Sequence, residues 1–159
     1  GKTVRGLQEL TEAIRLKAVH KIYACVVEGQ VDKGKKLKGY LTKDPVKNVV
    51  SLSDVRTEGS SYIETIYRPV KTNGLVTMLE VELVTGKSHQ IRAHMAYEGH
   101  PVVGDVKYGS KIKQPGGHQL LHAHKMVFES ATGVLSPIAG KSIEAEIPAD
   151  YGRYFTDIH

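Results

Sequence analysis

Apolar and polar residues alternate along much of this chain, and helical spacing interrupts the alternation in two places. Leu79, Val81 and Leu83 point one way while Glu80 and Glu82 point the other, the period-two pattern of a half-buried strand. The same reasoning predicts strands at Lys21 to Glu28, closed by Gly29, and at Tyr40-Leu41-Thr42, running into the Asp44-Pro45 turn. Further strands are predicted at Val46 to Leu52, Leu120 to Phe128 and Ser142 to Ile147. Tyr62 to Val70 and Leu75 to Val84 form a predicted hairpin around Thr72-Asn73-Gly74, where Asn-Gly is the strong turn signal. Leu7, Leu10 and Ile14, with Ala13 and Ala18, predict a helix from about Gly6 to Lys17. A second helix of about eleven residues is predicted from an N-cap at Ser88 to a stop at Gly99, with Ile91 and Met95 one turn apart on its core side. Lys33 to Lys38 reads as a basic connector, Gly99 to His118 as a loop, and the residues after Asp150 as a polar tail. Strands outnumber helices and hairpins dominate. The class is therefore α+β, a mostly antiparallel mixed sheet with a few flanking helices, in one domain over residues 1–159.

Composition changes this picture little. The chain is long enough to bury roughly 70% of its unfolded surface. Its apolar fraction of 40% and charged fraction of 25% are ordinary for a globular protein. No window approaches the ~20 apolar residues of a membrane-spanning helix. The single cysteine, Cys25, sits in an apolar strand and reads as an inert core thiol in a reducing compartment. A net charge of +5 permits a polyanionic partner without requiring one.

The candidate chemistry sits where the Leu79–Leu83 strand gives way to the second helix. Thr85-Gly-Lys-Ser-His-Gln-Ile-Arg92 packs polar residues into one turn and presents His89, Gln90 and Arg92 from the first turn of a helix, a setting that favours anions. Leu83 to Gly109 resembles the ribosomal large-subunit pseudouridine synthases of the RluA type. Their motif reads L-x-T-G-[RK]-[ST]-H-Q-I-R-x-H-[LM]-A, followed by G-H-P-[IVL]-x-G-D-x-x-Y-G, and every element is present here. Lys21-Ile-Tyr-Ala-Cys-Val-Val-Glu-Gly29 resembles the family's K-x-Y strand, with Cys25 where Ala is commoner. Gln119 to Phe128 resembles its L-L-H-A strand. The resemblance runs from about Gly6 to about Asp150.

What the resemblance implies is an RNA pseudouridine synthase, an isomerase of uridine in RNA, with large-subunit rRNA as partner. It implies no cofactor, no metal, no membrane and a cytoplasmic setting. By the same resemblance Arg92 would pair with the catalytic aspartate and Tyr23 would contact the target uracil. Lys21, Leu121, His89 and Gln90 would line the substrate site. The family's H-R-L-D motif, which carries that aspartate, does not occur in the 159 residues. The chain is therefore expected to be part of a catalytic domain without its nucleophile, inactive alone, with Arg92 lacking its carboxylate partner.

Blander readings stand beside these. An arginine on an amphipathic helix is ordinarily a surface residue, and a strand tyrosine ordinarily packs a core. His89 and His94 fall on different helix faces and would hold turn and loop by hydrogen bonds. His122 and His124 share a strand face without a third ligand, which argues against a metal. Thr85-Gly-Lys-Ser88 fails as a phosphate loop because Val81 stands where the first glycine is needed. Asp105 reads as an acceptor for loop N–H groups. The Lys33–Lys38 run suits a solvated loop or RNA phosphates equally. The rival class is a non-catalytic RNA-binding module retaining the uridine pocket; a basic domain with no RNA role is a third.

Overall fold

The structure, a computed structural model, describes residues 3–155. Residues 1–2 and 156–159, including the Gly1-Lys2 start and the end of the expected polar tail, lie outside the described residues. The elements are α1 (Val4–Arg15), β1 (Val19–Glu28), β2 (Lys35–Asp44), β3 (Val49–Ser53), β4 (Ser61–Thr72), β5 (Val76–Leu83), α2 (Gln90–Tyr97), β6 (Leu121–Phe128) and β7 (Ser142–Glu144). Short 3-10 turns occupy Val106–Tyr108, Gly133–Ile138 and Ala149–Arg153. The strands form one seven-stranded sheet in the order β3-β2-β4-β5-β1-β6-β7. Every strand pair in it is antiparallel, so the expected parallel component is absent among the described strands.

Strand alternation splits the core into two. Cys25 and Val27 of β1, with Leu79 and Val81 of β5 and Tyr67 of β4, pack under Ile91 and Met95 of α2. Tyr23 and Leu121 border this cluster. Ala24 and Val26, with Val76 and Met78, face the other way and meet Val103, Leu120, Tyr151 and Phe155. Tyr151 and Phe155 are therefore core residues, and residues 151–155 clamp the second face where a polar tail was expected. Each buried aromatic outweighs the surrounding polar residues that dominate the local composition.

Two further boundaries differ from the sequence reading. Lys35 to Lys38 belong to β2, a ten-residue strand, and are not a connector. Leu37, Gly39 and Leu41 keep the inward alternation there while Lys36, Lys38 and Tyr40 take the other face. Helix α2 begins at Gln90, and Ser88 is not its cap. His89 holds the N-cap position with a left-handed backbone, φ 57°, and makes no side-chain cap bond. The closing acceptor is the Gln90 side chain, which receives the Lys87 N–H at 3.1 Å. At the other end Gly99 behaves as expected. It adopts φ +82°, the Gly99 N–H donates to Ala96 and the His100 N–H to Met95.

Candidate uridine site

Arg92 lies in the first turn of α2 and is not without a partner. Its Nε donates to Asp105 Oδ2 at 2.6 Å and its Nη2 to Asp105 Oδ1 at 2.7 Å. The Arg92 side chain is 14% exposed and that of Asp105 1%, so this is a nearly buried, bidentate pair. It overturns the expectation of an unpartnered arginine. The cause is long-range. The segment after α2 doubles back over β1, with Val102 bridging Val27 and the Val103 N–H donating to Val26. That path lowers Asp105 onto the first helical turn. The loop-fixing role expected of the Asp105 carboxylate falls to its backbone carbonyl, which accepts from Tyr108 and Ser110.

Tyr108 completes the cluster, and sequence reasoning assigned it no role. The Arg92 guanidinium carbon sits 4.8 Å from the centre of its ring. Its hydroxyl accepts the Val50 N–H at 2.9 Å and lies 3.0 Å from His89 Nδ1. The signal was present in the sequence as the last tyrosine of Gly104-Asp105-Val106-Lys107-Tyr108-Gly109. Only the three-dimensional return of the loop shows what it touches.

Burial, and after it the Arg92 charge, hold the His89 imidazole below its ordinary pKa, so it is neutral near pH 7. The Asp105 side chain occupies one edge of the guanidinium. Nη1 on the other edge has no partner among the described residues. That leaves a cationic donor edge, backed by an aromatic face, able to take an anion or an acceptor oxygen.

The remaining residues divide. Tyr23 is half-buried on β1, on the α2 side of the sheet, and pairs across the strands with Val81 and Ala123. Leu121 pairs with Cys25 one step along. Asp105 acts electrostatically on the Cys25 thiol, which ties the Arg92–Asp105 pair to this stretch of β1. Burial first, and that charge second, keep the thiol protonated and inert. Lys21 reaches the turn before α2: a Cβ at Gly86 would stand 2.7 Å from its Nζ. Arg92, Tyr23, Lys21 and Leu121 thus open on one side of the sheet.

Gln90 does not join them. Its side chain is buried and makes four internal bonds: Oε1 accepts from Thr85 and Lys87, and Nε2 donates to the Glu64 carbonyl and Thr65. No polar atom is left for a substrate, so Gln90 is a structural residue. His94 is buried against Thr65 at 2.7 Å, and burial pushes its pKa down to about 4. Among the described residues no cluster of His, Cys, Asp and Glu could hold a metal ion. Nor is any helix long and apolar enough to cross a membrane. A cavity of about 750 Å³ lies on the opposite face, between Met78, Glu80, His124 and Ile147, away from Arg92.

The comparisons agree with the motif. The RNA pseudouridylate synthase family profile matches residues 1–97. The chain is 31% identical over 160 residues to ribosomal large subunit pseudouridine synthase D of Xanthomonas campestris, covering 92% of this chain and 46% of that protein. It is 34% identical over 131 residues to ribosomal large subunit pseudouridine synthase C of Haemophilus ducreyi, covering 78% of this chain and 41% of the relative. The chain thus spans about half the length of these curated relatives. Human RNA pseudouridylate synthase domain containing 4 shares the fold, with a TM-score of 0.76 at 15% identity over 97% of this chain and 69% of the human one. On the profile and the curated identities together, the chain belongs to the RNA pseudouridylate synthase family.

Proposed function

We propose that this chain supplies the arginine and tyrosine side of a uridine-isomerising site acting on large-subunit rRNA. The carrying observation is the guanidinium of Arg92, anchored by Asp105 and backed by Tyr108, with its Nη1 edge unpartnered among the described residues. In this reading a uridine is flipped out of its stack into the space beside Tyr23 and Leu121. A catalytic carboxylate works at C1′ of the sugar while the N1–C1′ bond breaks, the uracil turns, and C5 bonds to C1′; C5 then gives up its proton and N1 takes one up, so the isomerisation is proton-neutral. Arg92 holds that carboxylate ionised and oriented through its free edge. Tyr23 contacts the base, and Lys21 and His89 meet polar atoms of the nucleotide. No step of this isomerisation calls for a cofactor. The rRNA assignment is supported by the names of the relatives.

We further propose that the chain does not isomerise uridine by itself. Its carboxylate at Arg92 is Asp105, held by two hydrogen bonds, and no H-R-L-D run occurs in the sequence. The check is to incubate the pure chain with large-subunit rRNA transcripts and quantify pseudouridine by mass spectrometry. The expected yield equals the protein-free control. Turnover clearly above it would make Asp105 or another carboxylate of this chain the nucleophile.

A further inference from the structure

The hydroxyl of Tyr108 joins two elements, and its hydrogen bonds decide a proton position. The Val50 N–H of β3 donates into the phenol oxygen at 2.9 Å. A phenol has one proton to give, and His89 Nδ1 at 3.0 Å is placed to accept it. With the phenol proton directed there, Nδ1 accepts and the ring proton of a neutral His89 is on Nε2. The backbone reinforces the placement. His89 keeps a left-handed conformation that non-glycine residues seldom adopt, φ 57°. Around the ring stand Arg92 from α2, Asp105 and Lys107 from the returning loop, and Lys43 from β2. Three of these four are cations, which oppose protonation. A second proton, on Nδ1, would also face the phenol oxygen that already receives Val50.

We infer that Tyr108 is a positioning residue that fixes His89 as the Nε2–H tautomer and so makes it a neutral hydrogen-bond donor to an acceptor oxygen of the bound nucleotide. The donor half rests on the proposed function; the tautomer half does not. The same Tyr108 ring backs Arg92, so one side chain sets two donors of different character: a fixed cation, and a neutral group that keeps its single proton through the physiological range.

The test is nitrogen-15 NMR of the whole chain with labelled histidine. Wild type should show His89 as the Nε2–H tautomer at pH 7, titrating below the ordinary imidazole range. Tyr108→Phe keeps the ring over Arg92 and removes only the hydroxyl. It should move His89 toward the Nδ1–H form and raise its pKa. A merely structural tyrosine would lower the unfolding temperature of the variant and leave tautomer and titration unchanged. That result, or a wild-type His89 protonated on Nδ1, overturns the assignment. Uridine, inorganic phosphate and a short uridine oligonucleotide are then added in separate titrations. A shift of the His89 Nε2–H signal with uridine assigns the oxygen to the nucleoside; a shift with phosphate assigns it to the RNA backbone. Oligonucleotide binding that leaves this signal unmoved overturns the donor role. Absence of any RNA binding removes the functional reading and the donor role together, while the tautomer result stands.

Discussion

His94 gives the residue scale its sharpest consequence. Burial holds its folded-state pKa near 4, against about 6.5 for an exposed imidazole. Below the unfolded value the unfolded chain binds the proton and the folded chain does not. Stability is therefore complete above about pH 6.5 and falls as the pH drops toward 4. The shift corresponds to an upper value of about 3 kcal/mol. His20 works in the opposite sense: its hydrogen bond to Glu82 raises its pKa, so its contribution is full at low pH and fades as pH rises through the folded value. The His94 part is isolated by comparing wild type with His94→Asn in urea titrations at pH 7 and pH 4.5. The variant should start less stable, because the Thr65 contact is altered, and should lose less on acidification. An equal loss in both proteins would remove His94 as the cause.

The same scale shows what a sequence withholds. Arg92, Tyr23 and His89 became candidates because they sit in two runs whose residue types match a family. Asp105, as partner of Arg92, could not. It lies thirteen residues downstream, beyond any helical or strand period, and reaches the arginine only because Val102 and Val103 bond to β1. Gln90 failed for a related reason. A glutamine in a polar motif looks available, and only the proximity of β4 shows that the Glu64 carbonyl and Thr65 consume its amide.

At the scale of elements, the junction between β5 and α2 is held by that glutamine together with Thr85, which bonds the Glu64 backbone. Gln90→Ala takes the Oε1 acceptor from the Lys87 N–H and the Thr85 hydroxyl, and leaves the Glu64 carbonyl with its Thr85 bonds alone, in a region packed against α2 and β4. Each orphaned polar group costs about 1–3 kcal/mol. The variant should lose roughly 2–4 kcal/mol of stability on that basis. Part of that loss should appear as faster amide exchange over 85–93, read by mass spectrometry. Unchanged exchange there would mean that the turn is fixed by other bonds. The element boundaries in the sequence follow the same logic. The β4–β5 hairpin was legible because Asn73 caps its own turn, its Oδ1 accepting from Leu75 and Val76 at 2.9 Å. The first turn of α2 was not, since its closing acceptor is a side chain inside the helix and not the serine that precedes it. β2 was hidden by lysines on its outward face, although its inward face alternates normally.

For the whole molecule, the antiparallel sheet does one thing that matters for function. By putting β1 between β5 and β6, it brings Tyr23 of β1 and Leu121 of β6 to the edge of the cluster that α2 covers. Arg92 opens on that same side. The cavity on the opposite face is lined by Glu80, Glu144 and Glu146 as well as Lys71 and His124, a setting less suited to a polyanion. The proposed uridine therefore lies on the α2 side, against Tyr23. The direct measurement is photo-crosslinking of the chain to a short oligoribonucleotide carrying one 4-thiouridine, followed by peptide mapping. The predicted crosslinks fall within 21–23, 86–92 and 121, and Arg92→Ala weakens them. Crosslinks confined to the Met78–Ile147 cavity, or undiminished by loss of Arg92, would contradict it.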